Sequence, residues 1–369
     1  MKQFKFGDIG GRTPLQGWPK RWRRWLAGFG AGVWMSLAIA GCTGGEAGTT
    51  PEGTGSGETV RLTLVSYAVT QRAYESIIPK FVEDWKAKTG QTVEFDQSYA
   101  GSGTQTRAII DGLEADVAAL AIAADTLKLQ EAELIEPGWE QEVPTGNGIV
   151  HKSVAALINR PNKPLVDAWS ELAQPGVQVI TANPRTSGGA RWNFLAIWGA
   201  IAENGGTEAE ALEFTEKVFR NVPILPKDAR EATDVFFKQG QGDVLINYEN
   251  EVILANQQGE NLPYAVPTDI NISIDNPIAV VDANVDKHET REVAEAFVQF
   301  LFTPEAQQEF AKVGFRPTNA EVEREFANDF PKIDKLFTSN DFGGWAAIDE
   351  KFFNDGAIFE QIQTKIAQG

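Results

Sequence analysis

The chain is poor in the residues that carry most enzyme chemistry. Of its 369 residues one is cysteine, Cys42, and two are histidine, His151 and His288. A single cysteine leaves no internal disulfide to close, and the histidines stand in neither a metal-ligand nor a catalytic-triad spacing. Ser187 lacks the Gly-x-Ser-x-Gly elbow of a serine nucleophile. No lysine of a nucleotide-binding loop follows Gly101-Ser102-Gly103. Asp282-Ala283-Asn284-Val285-Asp286 opens like a calcium loop, but Lys287 stands where glycine is required. The acids Glu249 and Glu251 have the spacing of an ordinary solvated helix, and most of the ten tryptophans fall at core spacings. No catalytic residue, metal site or cofactor is expected.

Basic residues are also scarce outside the N-terminus. Residues 1–41 hold seven lysines and arginines against one acid, Asp8, and end in an apolar segment, 25–41. A basic region, an apolar core short of the roughly 20 residues of a membrane span, and small residues before a break describe a secretory leader. Ile39-Ala40-Gly41-Cys42 resembles the lipobox of bacterial lipoproteins, which implies that residues 1–41 are a lipoprotein signal peptide and that Cys42 is acylated; the alternative is a plain leader cut nearby. Residues 42–58 are almost wholly Gly, Thr, Glu, Ser and Pro, a flexible tether. The chain has 33 basic and 51 acidic residues; removing the leader's seven and one leaves 26 and 50, a formal balance of −24. So acidic a surface argues against nucleic acid as a partner. It also repels anions at long range, so an anion site must win through short-range hydrogen bonds.

From residue 60 onward, short β-branched runs alternate with amphipathic segments. Residues 60–66, 92–97, 116–122, 154–159, 177–182 and 243–247 read as strands, and 222–225 opens a further strand-and-helix unit. Helical periodicity covers residues 71–89, 102–110, 208–219, 291–302, 304–312, 321–328 and 346 to the end. Alternation of this kind predicts an α/β fold of parallel sheets with helices on both faces. The rhythm breaks near Pro144-Thr145-Gly146-Asn147-Gly148, and residues 265–281 carry strands without a helix, as a return crossover does. The predicted division is 59–148 with 270–369 as one lobe and 149–269 as the other.

The most informative stretch is residues 183–198, in which a strand opens through Ser187-Gly188-Gly189 into a helix. Such a turn leaves the first amides of the helix unpaired and aims its positive end at whatever sits there. Glycines admit a ligand close to the main chain, and Ser187 adds a hydroxyl. Four more strand-to-helix turns, at 67–70, 100–103, 228–230 and 248–250, share this plan. In doubly wound sheets ligands bind where such turns converge.

At these turns the chain resembles the periplasmic sulfate-binding proteins that feed bacterial sulfate and thiosulfate ABC transporters. The resemblance rests on Ser187-Gly188-Gly189-Ala190-Arg191-Trp192-Asn193, Asp111-Gly112-Leu113-Glu114-Ala115-Asp116, Gly242-Asp243-Val244-Leu245-Ile246, Arg291-Glu292-Val293-Ala294-Glu295-Ala296 and Phe342-Gly343-Gly344-Trp345. It implies a two-lobed periplasmic binding protein fold of type II, each lobe a doubly wound sheet, with a hinge between them. By position it also implies main-chain donors at Ala68, Ser102, Gly188, Gly189 and Ala229 and a hydroxyl donor from Ser187. Where the family has a tryptophan indole this chain has Tyr248, a phenol that can accept as well as donate. The family's Tyr-Asp reads Tyr67-Ala68 here, its His-Gly-Gly reads Tyr99-Ala100-Gly101, and its Ala-Tyr-Asp reads Ala123-Ala124-Asp125.

The implied function is capture of sulfate, or thiosulfate, outside the cytoplasmic membrane. The implied partners are a membrane ABC permease with its ATPase, the protein itself being a monomer held by a lipid at Cys42. Sulfate is fully ionised and only accepts hydrogen bonds, so a site of donors suits it, whereas hydrogen phosphate needs one acceptor. Asp96, Asp125, Asp228 and Glu249 are near enough in sequence to supply one. A receptor for another oxyanion such as molybdate or phosphate, and an extracytoplasmic enzyme acting on a sulfate or phosphate ester, are the alternatives.

Overall fold

The structure, a computed structural model, describes residues 59–368; the expected leader, tether and Cys42 lie outside them. Twelve strands are described: β1 (Thr59–Tyr67), β2 (Thr92–Ala100), β3 (Val117–Ala119), β4 (Ile149–Ser153), β5 (Ala155–Asn159), β6 (Val179–Ile180), β7 (Val244–Tyr248), β8 (Tyr264–Ala265), β9 (Asn271–Ile272), β10 (Ile274–Val280), β11 (Arg316–Pro317) and β12 (Leu336–Phe337). They form a six-stranded sheet in the order β11-β4-β10-β3-β1-β2, a four-stranded sheet β6-β7-β5-β8, and a small pair β12-β9.

Three of the helices that matter for the site follow on strands of the larger sheet. A tight turn, Ala68–Thr70, leads from β1 into α1 (Gln71–Thr89); α2 (Ser102–Ile110) follows β2 and α3 (Ala123–Glu131) follows β3. In the second half α4 (Gly188–Ala202), α5 (Glu208–Arg220), α6 (Ala229–Phe237) and α7 (Glu249–Gln257) surround the smaller sheet. The chain closes with α8 (Asp282–His288), α9 (Arg291–Phe300), α10 (Pro304–Lys312), α11 (Ala320–Glu325), α12 (Trp345–Ile348) and α13 (Ile358–Ala367).

Burial explains the runs read as strands. On β1, Leu62 and Leu64 face one apolar cluster with Ile77, Phe81 and Phe297, while Val65 faces another with Ile109, Leu129 and Trp139. A sheet covered on both faces has this continuous apolar character. Its first three strands are parallel, β1 with β2 and with β3. Both sheets are nevertheless mixed: β10 enters the larger one antiparallel between β3 and β4, and in the smaller one β5 runs antiparallel to β7. Strands that return after a crossover have this freedom; local periodicity does not report strand direction.

The expected division needs correction at both ends. Strand β4, placed in the second lobe from sequence, pairs with β10 and β11 in the larger sheet, and the chain changes sheets only at Val154. The C-terminal residues, placed in the first lobe, lie against helices of the smaller sheet: Phe352 packs on Phe194 and Trp198, and α13 packs on α5. The run 222–225 is no strand, because Pro223 and Pro226 lack the N–H that a ladder requires. The expected C-terminal helix is broken at Asn354-Asp355-Gly356, with Gly356 at φ +78°. Among the described residues no helix is long and apolar enough to cross a membrane.

Candidate functional site

Each candidate residue opens a helix. Ser187 caps α4 by accepting from the Ala190 amide (3.2 Å), which leaves its own proton free to turn outward. Asp228 caps α6 in the same way, its Oδ1 accepting from the Glu231 amide at 2.8 Å. Gly101 precedes α2 without a capping side chain, and Tyr248 precedes α7. Ala68 begins the tight turn before α1. Ala68, Ser102, Gly188, Gly189 and Ala229 are thus first-turn residues whose amides have no carbonyl four residues back to bond.

The structure brings them together. One small hollow is lined by Ala68, Ser102, Ser187, Gly188, Gly189, Ala229 and Tyr248, all seven of the residues expected from sequence. Residues of both sheets supply its walls, so it lies where the two halves meet. Atom-free space within it is at most ≈ 190 Å³, less than the ~300 Å³ at the low end for pockets that hold drug-sized ligands. No lysine, arginine or histidine lines it. What positive potential it has comes from peptide dipoles at converging helix starts.

Glycine is required by close approach. A Cβ on Gly188 would sit 2.8 Å from the Ala121 Cβ, and one on Gly189 would sit 2.6 Å from Cε2 of Tyr248. Across the junction, a Cβ on Gly101 would lie 2.6 Å from the Thr186 carbonyl oxygen. One hydrogen bond ties the halves at Ala121, whose carbonyl accepts from Trp192 Nε1 on α4 (2.8 Å); the same carbonyl accepts from Asn276 Nδ2 on β10 (3.0 Å), within the larger sheet's own half.

The hydroxyl of Ser102 is already committed. It donates to Asp125 Oδ2 at 2.6 Å and accepts from the Ala121 amide at 3.0 Å, so only its amide is left for the hollow. Tyr248 is the opposite case: it is 1 % exposed, and its hydroxyl has no hydrogen-bond partner in the protein. Burial raises its pKa above the usual phenol range, with the Glu251 and Asp125 carboxylates adding to the shift and Asn276 opposing it. The phenol therefore stays protonated. Behind it, in contact, stands Tyr67, also buried with an unpartnered hydroxyl, its ring centroid 5.8 Å from that of Tyr248. Burial drives His151, next in the row, down to about 3, so it is a neutral imidazole.

Of the four acids able from sequence to serve a proton-bearing anion, two are remote. Asp96 pairs with Arg61 on the outside of the larger sheet, and Glu249 forms a two-bond pair with Arg316 (2.8 and 3.1 Å). Asp125 stands one hydroxyl away, behind Ser102. Only Asp228 lines the hollow. Sequence reasoning named Tyr67 only as part of its turn, and passed over Ala121 and Asn276. Asn276 comes from a strand some 150 residues away from Ala121, and no local pattern marks it. Among the described residues no group of three or more His, Cys, Asp or Glu could hold a metal.

The family of bacterial extracellular solute-binding proteins matches residues 62–316. A sulfate-binding protein of Synechocystis sp. is 56 % identical over 347 residues, covering 92 % of this chain and 98 % of that protein. A thiosulfate-binding protein of Pseudomonas aeruginosa is 35 % identical over 300 residues, 81 % of this chain and 90 % of that one. Among solved structures, the sulfate-binding protein SubI of Mycobacterium tuberculosis superimposes with a TM-score of 0.73 at 35 % identity, covering 80 % of this chain and all of that one.

Proposed function

The chain belongs to the sulfate-binding family of bacterial extracellular solute-binding proteins, with their two-lobed type II fold, and on that footing we propose that it captures sulfate in the hollow between its sheets and delivers it to a membrane ABC permease. It is a carrier component and not an enzyme. The observation that carries the reading is the hollow itself: neutral donors from several helix starts, no cationic side chain, and room for only a small ion.

In this reading the amides of Ala68, Ser102, Gly188, Gly189 and Ala229 donate to sulfate oxygens, with the hydroxyls of Ser187 and Tyr248. Charge-assisted bonds of this kind contribute roughly 1.5–3 kcal/mol each. Preformed amides also cost little reorganisation, since they cannot pair within their own helices. The larger and smaller sheets, each with its helices, are the two lobes, and the strand-changing passages near Val154 and between β8 and β10 are the hinge. The protein is taken to be a monomer, held to a membrane through lipid at Cys42 by the tether 42–58, outside the cytoplasm.

Calorimetric titration of sulfate against the protein tests this, with sulfate and phosphate esters incubated alongside. Tight one-to-one sulfate binding without ester turnover is expected. Turnover with weak sulfate binding would instead make it an enzyme. The thiosulfate-binding relative gives thiosulfate a place in the same titration as a second physiological ligand.

A further inference from the structure

The two halves of the protein meet at the hollow, and one hydrogen bond there crosses between them. Trp192 Nε1, on α4 of the smaller-sheet half, donates to the carbonyl of Ala121 in the larger-sheet half at 2.8 Å. Among the hydrogen bonds described for residues lining the hollow, it is the one that spans the junction. Each end is held by its own half. Arg191 Nε donates to the Pro184 carbonyl and Asn193 Nδ2 to the Ile246 carbonyl, both at 3.0 Å, so α4 is fixed in the smaller-sheet half around Trp192. The indole meets Trp345 edge to face, with ring centroids 4.7 Å apart. Opposite, the Ala121 amide donates to Ser102 Oγ at 3.0 Å and the Leu120 amide to the Pro277 carbonyl at 3.1 Å. With both ends so anchored, the bond reports how the halves stand to each other.

The acceptor survives the loss of this donor. A carbonyl oxygen has two lone pairs, and that of Ala121 also accepts from Asn276 Nδ2 at 3.0 Å within its own half. When the halves part, no buried acceptor is orphaned, and the indole N–H of Trp192, a residue 0 % exposed in the shut form, meets water. The bond can be broken and remade without an unpaired buried group on either side. We propose that Trp192 is the latch of the binding cycle: its bond to Ala121 forms as the halves close on the anion and sets the rate at which the anion leaves. Trp192 does not line the hollow, so it acts as a positioning residue without touching the anion. Its helix carries Gly188 and Gly189 in its first turn with Ser187 as cap, and Ala121 is bonded to Ser102. The latch thus draws together two of the helix starts that the anion bridges. The inference rests on the anion-binding reading above and adds the residue that governs how long the anion stays.

Two substitutions of Trp192 are compared with the unaltered full-length protein. Trp192→Phe removes the N–H together with part of the ring. Replacement of Trp192 by benzothienylalanine exchanges the N–H for sulfur and keeps the ring's shape, which separates the lost bond from lost packing. Calorimetry gives the sulfate Kd, release of radiolabelled sulfate into an excess of unlabelled sulfate gives koff, and the two together give kon. In the benzothienyl variant koff is expected to rise about fivefold, the worth of one hydrogen bond between neutral groups. The Kd should rise by the same factor, with kon and the unliganded Tm unchanged. Trp192→Phe should raise koff at least as much; if a melting curve shows it to be unfolded, the isostere still decides. Sulfate binding with an unchanged koff in the benzothienyl variant overturns this inference alone, and a rise confined to Trp192→Phe reduces Trp192 to packing. A fall in kon at constant koff overturns it too, since a latch acts after capture. Failure of sulfate to bind the unaltered protein overturns the anion-binding reading and this one with it.

Discussion

Ser187 is the residue at which capping and capture can be separated. Its Oγ accepts from the Ala190 amide at 3.2 Å and closes the first turn of α4, while its proton is free to serve an anion in the hollow. Ser187→Ala removes both. Loss of the cap costs about 1 kcal/mol of folding stability, which for a chain of this size lowers Tm by about 2 °C. Loss of the donor costs roughly 1.5–3 kcal/mol of binding, a 10- to 150-fold weaker Kd. Ser187→Asp breaks the correlation. A carboxylate is an equally good cap and suits the helix dipole, so stability should hold or rise. Yet it places a negative charge within about 4 Å of a dianion, worth about 4 kcal/mol per charge pair near an effective dielectric of 20, so affinity should fall by at least some 10³-fold. The assay is paired: thermal unfolding without ligand, and sulfate calorimetry on the same samples. Two variants that differ in stability but share an unchanged sulfate Kd would refute the placement of Ser187 at the anion.

Three further outcomes follow from the structure. Gly189→Ala drives a methyl to 2.6 Å from the Tyr248 ring; sulfate affinity should drop by an order of magnitude or more, with about 1–3 kcal/mol of stability lost to overpacking, read by calorimetry and urea unfolding. Arg316→Met leaves the Glu249 carboxylate, 1 % exposed, without its partner, and should cost about 3 kcal/mol or more in urea unfolding. The two histidines should give stability a maximum near the ordinary imidazole value. His288 is raised by its hydrogen bonds to Asp116 and Glu114. Its contribution is whole below that value and is lost as pH rises through the folded-state pKa. His151 is depressed to about 3 by burial, so between the ordinary value and that point the unfolded chain binds a proton the folded one does not. Stability then falls by about 1.4 kcal/mol per pH unit on the acid side. In Tm measured against pH, His288→Gln should flatten the alkaline limb and His151→Phe the acid one; unchanged limbs would refute the assignments.

The site was legible because its parts are written in consecutive residues. Ser187-Gly188-Gly189 after an apolar run announces a strand, a turn and a capped helix start wherever it occurs, and the spacing of Ser102 from its strand does the same. That five such starts meet at one point is a property of sheet order, and sequence suggested it through the general rule for doubly wound sheets and through resemblance. What escaped was long-range. Strand β4 follows a glycine-rich break and is only five residues long, so no period distinguished it. Direction of β10 cannot be read from its own residues. Asn276 is one asparagine in a strand, and its meaning depends on the Ala121 carbonyl arriving beside it from a distant part of the chain.

Gly101 sits where the two halves touch, with no room for a single methyl group against the Thr186 carbonyl. An alanine there would act as a doorstop: the jaws would stop a few tenths of an ångström short of shut. Solvent would then reach the bound ion on one side, and residence time, more than the rate of capture, would be what the cell lost.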